Sequence, residues 1–174
     1  MTLMINGRLS QIGERIRETL IAKNAARDRA VNLSRELIRF CSLAIRASHR
    51  DEWDEAERLL SEARRASDEL VALVEPHPDL FFTGYTQDAL KELAEASIAL
   101  AIAQDKPIPA PEEIGVEYAA YLNGLAEAIG ESRRHVLDVI RLGQLERAER
   151  ILNIMDEVYY ALITFDYPDA VTQG

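Results

Sequence analysis

Glu92 and Glu95 stand three residues apart in the stretch KELAEASIALAIA, residues 91–103, which is otherwise almost entirely alanine, leucine and isoleucine. On a helix that spacing puts both side chains on one face, about a turn apart. Down the same stripe fall Ala96, Ala99, Ile102 and Ala103, so the two acids share a face with candidate core. Ionised carboxylates in a dry position are costly unless a cation or hydrogen-bond donors answer them. A second stretch, YLNGLAEAIGESRR, repeats the pattern with Glu127 and Glu131 four apart, on a stripe that also carries Asn123, Gly124, Gly130 and Arg134. Small residues beside the acids let two helices approach closely. If the two helices pack antiparallel, four carboxylates converge on one point. Like charges that close raise one another's pKa, and a divalent metal relieves the conflict. Oxygen ligands with no histidine or thiolate nearby in the sequence favour Mg²⁺ or Mn²⁺ over Zn²⁺. Such an ion activates water for attack on a phosphodiester, or holds the phosphate and stabilises the leaving oxygen. The same Glu spacing also arises on ordinary solvated helix faces in a chain this rich in acids.

The elements that must position these acids are helical. Aromatic residues make up only 6% of the chain, while Ala, Leu, Glu and Arg dominate, which suits helices and not sheets. Periodicity predicts a first helix over about Arg8–His49, with Leu33, Leu37, Phe40 and Ala44 on its apolar face. Its opposite face carries Arg35, Arg39, Arg46 and Arg50, with Asn32, Ser42 and His49 between them. A second helix is expected from Glu52 to Val74, stopped by EPHPD, and a third from Thr86 to Ala103. After the proline-rich QDKPIPAP, a fourth runs from about Glu112 to Leu142, ended by Gly143, and a fifth from Gln144 to Phe165. Five or six antiparallel helices in one all-α bundle, a single domain over residues 1–174, is the simplest architecture.

The 174 residues carry a formal net charge of -10, which by itself discourages a nucleic-acid partner. The average conceals an asymmetry. Residues 1–50 hold ten Lys or Arg against four Asp or Glu, a balance of +6, so residues 51–174 carry -16. The first helix therefore offers a local basic stripe on an acidic protein. A single cysteine, Cys41, rules out an intrachain disulfide and reads as a small core residue. No apolar run is long enough to span a membrane and the N-terminus lacks a signal pattern, so the expectation is a soluble, cytoplasmic protein. None of His49, His77 and His135 sits in Glu-x-x-His, which argues against a di-iron carboxylate bundle.

Taken in order, the segments RDRAVNLSREL and AIRASHR, GYTQDALKELAEA, YLNGLAEAIGESRR and DEVYYALITFDYP resemble the translin family, which comprises translin and translin-associated factor X. The resemblance implies an all-helical, translin-like fold, a closed, barrel-like homo-oligomer, and binding of single-stranded RNA or DNA inside it. The Glu-x-x-Glu pair makes the chain more similar to translin-associated factor X, whose subfamily uses that pair with an acid of the next motif as an Mg²⁺-dependent endoribonuclease site. Carried over, the resemblance implies Glu92, Glu95 and Glu127 as catalytic metal ligands, with Glu131 as a fourth ligand or as the group that orients one. Where the family pattern often has Asp, this chain has Glu127. The resemblance also makes Arg35, Arg39, Arg46, His49 and Arg50 the nucleic-acid-binding face. Family members usually continue into a further helix beyond YPDAVTQG. Two other readings stay open: a non-catalytic single-strand-binding oligomer, and an all-α nucleoside triphosphate pyrophosphohydrolase. The latter pattern pairs Glu-x-x-Glu with Glu-x-x-Asp, whereas Glu127 and Glu131 are four apart.

Overall fold

The computed structural model describes residues 2–172, which form α1 (Thr2–Ser48), α2 (Trp53–Val74), α3 (Pro78–Phe81), α4 (Gly84–Ala103), α5 (Pro111–Ile114), α6 (Tyr118–Arg141), α7 (Leu145–Leu162) and α8 (Asp169–Thr172). No strand occurs among the described residues, as the composition predicts. No helix is long and apolar enough to cross a membrane.

The expected stops act as punctuation. Asp51, at φ +57°, turns the chain between α1 and α2, and Gly143, at φ +75°, turns it between α6 and α7. The long fourth helix of the sequence reading is divided. Pro111 opens the single-turn α5, the Glu113 carboxylate accepts from the Ala110 N–H at 2.7 Å, and Gly115 at φ +81° ends it. That left-handed conformation suits glycine and breaks the helix that the apolar periodicity alone would have continued.

α4 is the central element. From Leu93 to Ala103 every residue is buried, so its apolar character runs all the way round instead of along one stripe. It packs between α1, α2 and α6, with α7 against its C-terminal end. Leu37, Leu70, Leu90, Leu93, Ile98 and Val139 are among the large side chains fully enclosed there.

The helices around α4 differ in direction. α2 runs antiparallel to it, as the Glu57–Lys106 ion pair near one end and the shared surroundings of Arg64 and Ser97 indicate. α6 runs parallel to α4, not antiparallel as the acid pattern suggested. Lys91 meets Glu127, whereas Ala99, Ile102 and Ala103 share a small space with Glu131, Ser132 and His135. The connection over residues 104–117 permits this, because an extended chain of that length reaches about 45 Å and α4 is only about 30 Å long. It carries the chain back along α2 and α4 before α6 begins. Tyr121 Oη donates to the Pro109 carbonyl at 3.0 Å and holds the return in place.

α1 is about 70 Å long at 1.5 Å per residue, about twice the length of α2 that packs on it. Its first buried residue is Ala30 among those whose side chains are described. Leu9, Ile16, Leu20 and Ile21 on the projecting part are 54–64% exposed.

Candidate metal centre and its basic rim

The acid pair is built where three helices meet. Glu95 is 8% exposed in the seam between α1, α4 and α6, and its carboxylate has no hydrogen-bond or ion-pair partner among the described residues. Burial comes first, and the charges of Glu92, Glu127 and Glu131 add to it, pushing the Glu95 carboxyl up to about 7. Glu92 is half-buried one turn earlier. Its carboxyl is also raised, chiefly by burial, with Lys91 pulling against that and Glu127 adding to it.

α6 completes the cage through Gly124. A Cβ at that position would stand 2.7 Å from the Ala94 Cβ, 2.7 Å from the Lys91 carbonyl oxygen and 2.9 Å from the Glu95 amide nitrogen. Only a residue without a side chain lets the backbones approach so closely. Three residues on, Glu127 therefore leans over the acid pair, and one carboxylate oxygen from each of Glu92, Glu95 and Glu127 lies within 4.8 Å of the others. Gly130 has no such role, since a Cβ there would meet nothing within 4 Å.

Oxygens on opposite sides of an octahedral Mg²⁺ stand about 4.2 Å apart at the usual 2.0–2.1 Å bond length. Three ligands of one ion include at most one opposite pair and otherwise stand about 2.9 Å apart, so the trio, within 4.8 Å, approaches the size of such a site but is wider than it. In donor chemistry the residues fit a hard divalent cation, and the unanswered Glu95 carboxylate is the group that most needs one. Cys41 lies close enough for Glu92 and Glu95 to act on it, but burial first and those two charges second hold its thiol far above the ordinary range. It remains a protonated core residue and the donor set remains all oxygen.

Glu131 does not join the trio. Its Oε2 lies 3.2 Å from His49 Nε2, and its other oxygen is 4.0 Å from Arg134 Nη1. The resemblance made it a fourth ligand or the group that orients one; here its partners are His49 and Arg134 and none of the three acids. Lys91 was not among the residues singled out in the sequence, yet its Nζ donates to Glu127 Oε1 at 2.8 Å and lies 3.6 Å from Glu92 Oε1. Burial would lower its pKa, but the hydrogen bond and charge of Glu127 outweigh that and raise it.

Beside the acids lies an open cavity of about 460 Å³. Glu92, Glu95 and Glu131 form its acidic side, and Ser42 and Arg46 of α1 with His49 and Arg50 of the turn after it face them, with Arg134 and Asp138 of α6 at the edge. The basic stripe therefore divides. Arg46, His49 and Arg50 border the cavity, whereas Arg35 and Arg39 are exposed on α1 outside it, and the Arg39 guanidinium lies 4.9 Å from the Phe40 ring centroid. Arg50 is also held by Glu52 through two hydrogen bonds of 2.9 and 2.7 Å.

A partly buried knot supports the His49 side. Arg147 of α7 donates at 3.1 Å to Asp51, to the Ala103 carbonyl and to His135 Nε2. Burial, followed by the Arg147 and His49 charges, lowers the His135 pKa and keeps that ring neutral. His135 packs edge-on against His49 with ring centroids 5.7 Å apart.

No family model matches the chain. An uncharacterized protein of Methanocaldococcus jannaschii is 34% identical over 150 residues, which take in 85% of this chain and 66% of that relative, a little under two thirds of its length. Among solved structures, AfC3PO in complex with duplex RNA matches with a TM-score of 0.84 and 31% identity, covering 92% of this chain and 83% of that one. AfC3PO alone gives a TM-score of 0.85 at the same identity, with 84% of its chain covered. NeC3PO, in its apo form, has the same fold with a TM-score of 0.84 at 18% identity, over 92% of this chain and 85% of its own. At that identity and coverage of AfC3PO, together with the sequence motifs, the chain belongs to the C3PO/translin family.

Proposed function

We propose that this chain is a cytoplasmic, homo-oligomeric RNA-binding protein that cleaves single-stranded RNA in an Mg²⁺-dependent endonucleolytic reaction, with Mn²⁺ able to substitute. The observation that carries the reading is the carboxylate trio Glu92, Glu95 and Glu127, closed over by Gly124 and opening onto an arginine-rimmed cavity. An ion held by the three carboxylates would supply Lewis-acid chemistry to a phosphodiester and to the attacking water. The remaining work falls to the chain's own groups. Arg46 and Arg134 present guanidinium groups to phosphate oxygens, Arg50 does so in competition with Glu52, and His49 is steadied by Glu131 and the His135 ring. A flexible single strand can lower one phosphate past the arginine rim to the acids, which a rigid duplex does less readily. The duplex RNA bound by AfC3PO supports an RNA partner for this fold, and the Glu-x-x-Glu pair supports the translin-associated factor X side of the family. The exposed apolar residues of the projecting part of α1 support an assembly of several copies.

The test is cleavage of labelled single-stranded and duplex RNA with Mg²⁺, Mn²⁺ or EDTA, beside the Glu92→Gln, Glu95→Gln double variant. Metal-dependent cleavage of the single strand that the variant loses while still binding RNA is the expected result. Undiminished cleavage by the variant overturns the assignment of the site. RNA bound but left uncut under every metal gives a non-catalytic binding protein. Release of pyrophosphate from free nucleotides would favour the pyrophosphohydrolase reading instead.

A further inference from the structure

Lys91 brings a positive charge into the carboxylate cage itself. Its Nζ is 2.8 Å from Glu127 and 3.6 Å from Glu92, two of the three acids whose oxygens converge, and its side chain is 22% exposed. Arg46, Arg50 and Arg134 line the cavity beside the cage and are not paired with the trio. Three ionised carboxylates and one ammonium leave two uncompensated negative charges, which a single divalent ion cancels. Two-metal phosphodiester sites place their ions about 3.5–4 Å apart, bridged by shared ligands. An ammonium between Glu92 and Glu127 takes the space and the ligand charge that a second ion would require. The lysine backbone is pinned as well, because its carbonyl oxygen lies against Gly124 of α6.

We propose that Lys91 is the resident second cation of the cage, restricting it to one divalent ion and lowering that ion's affinity. This rests on the reading of Glu92, Glu95 and Glu127 as a metal site. A plain interhelical ion pair, which contributes little when partly exposed, would have no such consequence.

The experiment is titration of the full chain with Mn²⁺ alone, without RNA, followed by calorimetry and by the electron paramagnetic resonance of free Mn²⁺. Wild type is compared with Lys91→Gln, Lys91→Met and Lys91→Arg, with melting curves to verify folding and the methionine variant keeping the apolar stem. Wild type and Lys91→Arg are expected to bind one ion per chain. The two neutral variants are expected to bind the first ion on the order of tenfold more tightly and to accept a second, because a unit charge about 4 Å away no longer repels it. Unchanged or weaker affinity at one ion in the neutral variants overturns the proposal, as do two ions in wild type. Binding in the neutral variants but none in wild type also overturns it, because Lys91 then excludes every ion instead of admitting one, and the native metal reading falls with it. No binding in any variant removes both.

Discussion

The backbone of α6 at Gly124 rests on the Lys91 carbonyl oxygen, 2.7 Å from where a β-carbon would stand. This contact sets the separation of α4 and α6 at the turn that holds the acid pair. Replacing Gly124 by Ala must part the helices or bend one, because the neighbours are backbone and a core alanine, not a flexible side chain. Overpacking of this kind costs about 1–3 kcal/mol. We expect Gly124→Ala to melt several degrees lower and to bind Mn²⁺ more weakly, since Glu127 moves away from Glu92 and Glu95. Gly130→Ala is the control: with open space at its Cβ position it should gain about 0.5–1 kcal/mol of helix propensity and leave metal binding alone. Equal behaviour of the two variants would show that the close approach does not shape the cage.

Glu95 predicts a pH dependence of stability. Its carboxyl is raised by burial and by Glu92, Glu127 and Glu131, from an ordinary 4.5 to about 7. A raised pKa means that the folded state holds the proton more tightly than the unfolded one, so the contribution is full below pH 4.5 and is lost as pH rises through 7. His135, lowered by burial, Arg147 and His49, acts in the opposite sense, its contribution falling as pH drops through its ordinary 6.5. The difference between wild type and Glu95→Gln isolates the first effect. In EDTA, Glu95→Gln should be the more stable protein at pH 8, by on the order of 3 kcal/mol, and should lose that advantage at pH 4.5. Mg²⁺ should stabilise wild type increasingly from pH 5 to pH 8 and the variant hardly at all. Parallel melting profiles for the two proteins at every pH would refute it.

How far the sequence reveals the site depends on the kind of information involved. Helix ends at Ser48, Val74, Ala103 and Arg141 lie within a residue or so of those expected, because prolines, glycines and changes of periodicity mark them locally. The convergence of the acids is legible in part: spacing offers four, Glu92, Glu95, Glu127 and Glu131, and the resemblance puts the first three together, whereas the structure gathers Glu92, Glu95 and Glu127 and leaves Glu131 outside. The direction of α6 relative to α4 is not. A stripe of residues states which face is buried but not which way the neighbour runs, and a connection over residues 104–117 allows either. The pairing of Glu131 with His49 and the bridge from Lys91 to Glu127 are equally hidden, because both join residues far apart in the sequence. A lysine beside glutamates within a helix gives no local sign of its position in space. The break at Gly115 is concealed because one glycine within a helical pattern is usually tolerated.

The divided basic stripe makes a final prediction that separates the arginines from one another. Each phosphate neutralised on a single strand contributes about -0.7 to the slope of log affinity against log salt. Arg46 borders the cavity without an ion-pair partner among the described residues, so Arg46→Ala should weaken binding of a short RNA oligonucleotide and reduce the slope by about one contact. Arg50 already donates twice to Glu52, so its phosphate contact is made in competition with that carboxylate and Arg50→Ala should cost less. Glu52→Gln should in turn strengthen binding by freeing Arg50. Arg35 and Arg39 lie outside the cavity and should affect only strands long enough to reach them along α1. The measurement is fluorescence anisotropy of oligonucleotides of increasing length across a salt series, for each single variant. If Arg35→Ala weakens the shortest strand as much as Arg46→Ala does, the whole stripe acts as one surface and the cavity is not where the strand is held. If Glu52→Gln leaves affinity unchanged while Arg46→Ala lowers it, the strand enters from the Arg46 side and passes Arg50 by.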